Sequence, residues 1–74
     1  MKTYVEVYVR TDGEKESVIT EKLLELGLKP NIGGHDFVYS WKDDVVLNEV
    51  LKFVDHIQSK LKDSGAILKF STFR

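Results

Sequence analysis

Between Thr3 and Val9 apolar and polar positions alternate. Val5, Val7 and Val9 share one face, and Tyr4, Glu6 and Tyr8 share the other. A period of two predicts a strand. Beyond "RTDGE" the apolar spacing lengthens to three and four, and Val18, Ile19, Leu23 and Leu26 fall along one helical stripe. Thr11 with Glu14 fits a capping box, Asp12 is a competing N-cap, and Gly27 stands where a left-handed C-cap is wanted. Two extended stretches, Leu28–Ile32 and His35–Trp41, then flank Gly33-Gly34. That is the pattern of a tight hairpin whose central residues need positive φ. Pro30 cannot donate to a ladder, which predicts an edge strand for the first arm. Asp43 or Asp44 is expected to cap a long second helix, in which Leu47, Val50, Leu51, Val54, Ile57 and Leu61 recur at helical spacing before Gly65. In "AILKFSTF" the alternation returns, with Leu68 and Phe70 on one face and Ile67 and Lys69 on the other.

The order β-α-β-β-α-β predicts a ferredoxin-like α+β sandwich in a single domain, residues 1–74. Its sheet would be antiparallel, in the order 4-1-3-2, with two helices on one face. If Leu28–Ile32 were only loop, a three-stranded βαβαβ variant would result. Val5, Val7, Val9, Leu68 and Phe70 are expected beneath the helices. The third strand fits either parity. Aromatics outward is the favoured reading, because a thin helix–sheet layer has little room for three large rings. Tyr4, Tyr8, Phe37, Tyr39 and Trp41 would then form an open aromatic face. Patches of that size seldom stay wet, so these five residues are the expected dimer interface.

The chain has 74 residues and no cysteine, which excludes disulfides, thiolate metal sites and cysteine nucleophiles. A core this small gains most readily from a partner subunit. Eleven basic residues against twelve acidic ones give a net charge of −1 and no basic surplus for phosphates. An RNA-binding sheet platform is therefore the alternative, not the first reading. "GHDFVYSW" places His35 and Asp36 where the RNA-recognition motif has an aromatic and a small residue. The alternating N-terminus resembles neither a signal peptide nor a membrane span, which makes a cytoplasmic home the expectation. His35 with Asp36 supplies two metal ligands at most, and His56 lies on a helix flank between Lys52 and Lys60, so no metal is expected. No nucleophile elbow, P-loop or dinucleotide fingerprint is present, and neither catalysis nor a cofactor is expected. A small enzyme of the dimeric α+β barrel type, using His35 and a tyrosine as acid and base, is a further alternative.

"GGHDFVYSW" resembles the Gly-x-(Tyr/His)-Asp-hydrophobic stretch in the effector-binding (RAM-type) domain of the leucine- and asparagine-responsive regulators, the Lrp/AsnC family. Gly33, Gly34, His35, Asp36 and Phe37 occupy that pattern. "YVEVYV", "LLELGLKP" and "LKFVDHIQSKLKDSGAILKFSTF" are similar to the same family over nearly the whole chain. The resemblance implies βαββαβ domains that dimerise through open sheet faces and stack into rings, with an amino acid bound near Gly33, Gly34, His35 and Asp36. Because the chain begins with its first strand, it would be like the stand-alone members, without a helix-turn-helix or direct DNA binding. Its expected partners are a second copy in a homodimer or higher oligomer, a small molecule such as an amino acid, or a full-length regulator. No membrane partner is expected. The residues offer suitable chemistry, since a glycine turn presents N–H groups to a carboxylate and Asp36 can meet an ammonium. The plainer alternative is that Asp36 accepts backbone hydrogen bonds that fix the turn.

Overall fold

The computed structural model describes residues 1–34 and 36–73. Six elements follow one another: β1 (Lys2–Tyr8), α1 (Glu16–Glu25), β2 (Lys29–Pro30), β3 (Phe37–Ser40), α2 (Leu47–Lys60) and β4 (Ile67–Phe73). The strands make one antiparallel sheet in the order β2-β3-β1-β4. This is the predicted α+β architecture. Pro30 sits in the two-residue edge strand, where its missing N–H costs no ladder bond.

Both helices pack over one face. Ile19 and Leu23 of α1, Ile57 of α2 and Leu61 at its C-cap bury against Val5 and Phe37 of the sheet, with Leu28 closing the layer. Gly27, at φ +96°, ends α1. The Leu28 N–H donates to Leu23 O at 3.2 Å and the Gly27 N–H to Leu24 O at 3.1 Å. Those two bonds form a Schellman motif, and its usual apolar contact is supplied by Leu28 and Leu23, both fully buried.

The helix starts differ from the expected caps. Helix α1 begins at Glu16 behind Lys15, with no side-chain cap. Thr11, Asp12 and Glu14 are taken up by a loop instead. The Gly13 N–H donates to Arg10 O at 3.1 Å and the Glu14 N–H to Ser64 O at 2.8 Å, which ties this loop to the turn before β4. Gly13 is required there, because a Cβ would lie 2.7 Å from Ser64 O. Asp43 and Asp44 likewise precede α2 without capping it. The Val45 N–H bonds to Lys42 O at 3.2 Å, a turn that buries Val45 and delays the helix to Leu47 behind Val46.

Candidate functional site

The pairing register sets which way β3 faces. Tyr39 pairs with Thr3 and Phe37 with Val5. Directly opposed residues of an antiparallel pair project to the same side. Phe37 and Tyr39 therefore lie beneath the helices with Val5, and Phe37 is only 7% exposed. The Tyr39 ring sits 4.4 Å from Phe53 of α2 and 4.7 Å from Trp41, and Trp41 meets Phe53 edge-on at 5.3 Å. The Trp41 Nε1–H donates to the buried Thr3 Oγ1 at 2.8 Å, and that hydroxyl shares a 2.9 Å hydrogen bond with Thr72.

The expected outward orientation is thus reversed. Phe37, Tyr39 and Trp41 do not belong to the open face, whereas Tyr4 and Tyr8 do. The layer has room for the rings because Tyr39 and Trp41 cluster at the sheet end where α2 enters, around Phe53. The Trp41 indole N–H also finds its partner there. A sequence signal existed, since outward rings would have pointed Ser40 into the core.

What remains on the uncovered face is mixed. Tyr8 and Ile67 are cross-strand partners, 55% and 59% exposed. At the other end the rings of Tyr4 and Phe73 stand 5.9 Å apart, and Phe73 is 57% exposed. Glu6 opposite Lys69 separates the two apolar ends. The Tyr8 hydroxyl donates to Glu6 Oε2 at 3.0 Å. This bond to a carboxylate, together with the charge of Glu6, raises the Tyr8 pKa above its ordinary value. Phe73 was missed among the candidate residues. Continuing the alternation from Ile67 by six residues finds it.

The glycine hairpin is wider than a two-residue turn. The Asn31 N–H donates to Asp36 O at 3.0 Å and closes the loop. Gly33 has φ +129° and Gly34 has no positive φ, so one glycine, not two, answers a backbone demand. Asp36 Oδ2 accepts the Val7 N–H at 2.8 Å. The β1–β3 ladder stops at Val5 and Phe37, and the carboxylate takes the next inward-facing donor of β1. Asp36 therefore acts first as a ladder extension. It also borders a cavity of about 200 Å³ with Val7, Glu16, Thr20 and Phe37. His35, expected beside it, lies outside the described residues.

No family model, curated protein or solved structure matches this chain. Among the described residues no group of three or more His, Cys, Asp or Glu side chains could hold a metal ion. No helix among them is long and apolar enough to cross a membrane. A second cavity of about 280 Å³ opens at the end of β3, lined by Tyr39, Trp41, Lys42, Asp44, Val45 and Glu49. Ser40 lines it too, so two carboxylates, one lysine and one hydroxyl stand beside a floor of rings.

Proposed function

We propose that this chain is an association domain, resembling the effector domains of the Lrp/AsnC family, that pairs with a second copy through its open sheet face. The observation that supports this reading is the uncovered set of Tyr8, Ile67 and Phe73, each more than half exposed on one side of the sheet. Glu6 and Lys69 between the apolar ends make the face self-complementary, since a two-fold stack sets each carboxylate near a lysine of the other copy. Two seven-residue strands beside the four-residue β3 give a footprint of at most about 23 by 15 Å, small against the roughly 800 Å² per partner of a standard interface. The pairing is therefore reversible and concentration-dependent. Light scattering and sedimentation should show association in the micromolar range, and Tyr4→Thr with Tyr8→Lys should weaken it at least tenfold. A chain that stays monomeric at near-millimolar concentration would overturn the proposal.

Small-molecule sensing at the hairpin is the second reading, and the cavity beside Asp36 favours it. With Glu16 and Thr20 on the same wall, that space selects an ammonium-bearing ligand such as an amino acid. Thermal unfolding against the twenty amino acids tests it. A ligand at about 100 times its Kd should stabilise the fold by roughly 2.7 kcal/mol. Asp36→Asn should abolish the shift, and a flat panel removes the sensing role while leaving the association role in place.

A further inference from the structure

Three elements build the cavity at the end of β3. The strand and the residue after it bring Tyr39 and Trp41, and the first turn of α2 brings Glu49. Between them, the turn closed by the 3.2 Å bond from Val45 N–H to Lys42 O brings Lys42 and Asp44. Tyr39 meets Trp41 at 66° and Phe53 meets it at 87°, so neither ring lies flat on the indole. The indole is half-buried, and the 2.8 Å bond from its Nε1–H to Thr3 fixes its orientation before any ligand arrives. Buried Val45 extends the apolar wall, whereas Asp44 and Glu49 are exposed. Among the described residues neither of these carboxylates is in an ion pair.

We infer that this ring-walled corner binds an alkylated ammonium group. Aromatic faces carry negative potential, and an indole attracts a cation within about 6 Å of its centroid more strongly than the other rings do. Two carboxylates against one lysine act in the same direction, and the roughly half unit of positive charge at the start of α2 does not cancel them. The rings decide which cation is taken. A hard metal ion needs about six oxygen ligands, and two carboxylates with the Ser40 hydroxyl fall short. An ammonium that carries methyl groups has an apolar surface, which rings and Val45 can surround while the carboxylates answer its charge. At about 280 Å³ the cavity lies just below the usual range for small-molecule sites, which suits a head group of a few carbons. Lys42 is the internal competitor, tethered beside the same carboxylates. Tyr8, Ile67 and Phe73 do not border this cavity, so the inference does not depend on association through the open sheet face.

Titration of the unmodified chain with tetramethylammonium chloride, at an ionic strength held constant with sodium chloride, tests the inference. The indole N–H resonance and the emission of Trp41 should change saturably, with a Kd of about 10 mM or below. Choline should bind at least tenfold more tightly than its neutral isostere 3,3-dimethylbutan-1-ol, because the attraction is for charge and not for methyl groups alone. Asp44→Asn with Glu49→Gln, both exposed, should weaken choline at least tenfold at an unchanged urea midpoint, and Lys42→Ala should tighten it. A glycine-rich peptide carrying one trimethyl-lysine separates the two sources of such a group. Tighter binding than choline assigns the cation to a protein side chain, and equal or weaker binding assigns it to a free small molecule. No saturable change up to about 0.1 M tetramethylammonium overturns the inference, as does equal affinity for choline and the neutral isostere. Unchanged choline affinity in the double carboxylate variant also overturns it. The Tyr4→Thr, Tyr8→Lys variant should bind choline as the unmodified chain does, so this inference and the open-face proposal can fail separately.

Discussion

Phe53→Ala is expected to cost about 2–4 kcal/mol, from the loss of a half-buried ring and its two aromatic contacts. A chain of this length has about 4–11 kcal/mol in total, so the variant approaches unfolding at room temperature. The ring of Phe53 packs against both Tyr39 and Trp41, which also touch each other. Removing it opens a gap that neither partner can close, because the Trp41 indole is held by its hydrogen bond to Thr3. Trp41 is the sole tryptophan, so its fluorescence reports the change directly. Emission should shift red in the variant and the denaturant midpoint should fall at constant slope. Tyr8→Ala, on the uncovered face, should move monomer stability by no more than about 0.5 kcal/mol. Equal losses for the two variants would mean that the rings of β3 do not lie under α2.

Gly13→Ala is expected to cost about 2–3 kcal/mol, although Gly13 is exposed and far from any ring. Its added methyl would meet Ser64 O at 2.7 Å and Gly65 Cα at 3.4 Å, both backbone atoms that cannot swing aside. To admit it, the loop before α1 must part from the turn before β4 and lose the 2.8 Å bond from Glu14 N–H to Ser64 O. Ser64 is itself buried and fixed, with its Oγ donating to Leu61 O. Gly34→Ala is the control, since open space surrounds that position and its φ is ordinary. It should be neutral or slightly stabilising through the unfolded chain. Urea unfolding of the pair checks the contrast, and a neutral Gly13→Ala would remove the claim that the two loops are in close contact.

The element order, the edge position of Pro30 and the C-cap at Gly27 were legible in the sequence, because each follows from a local rule of spacing or backbone freedom. The face of β3 was not. A four-residue strand has no period long enough to fix its parity, and the choice rested on an estimate of space that ignored where Phe53 would stand. The polar Ser40 at the alternate position carried the better signal. The helix starts were misplaced for a related reason. Glu14 and Val45 each make a turn bond whose partner or burial comes from the tertiary fold, and that removed the neighbouring acidic residues from capping. At the hairpin, Asp36 was readable as either ligand contact or turn support. What its carboxylate takes, the Val7 N–H, depends on where the β1–β3 ladder ends, and no local pattern states that.

Lys2 and Phe73 face each other across neighbouring strands. The two extremities of the described fold therefore stand about 5 Å apart, one strand spacing. A short glycine tether could bridge them, and the backbone could be reopened in the loop around Ile32, whose side chain touches nothing. Such a permuted chain would keep every pairing in the sheet. By the same geometry, a domain fused at either extremity would emerge beside the Tyr4–Phe73 corner, so fluorescent or affinity tags placed there would crowd one end of the surface proposed for self-recognition.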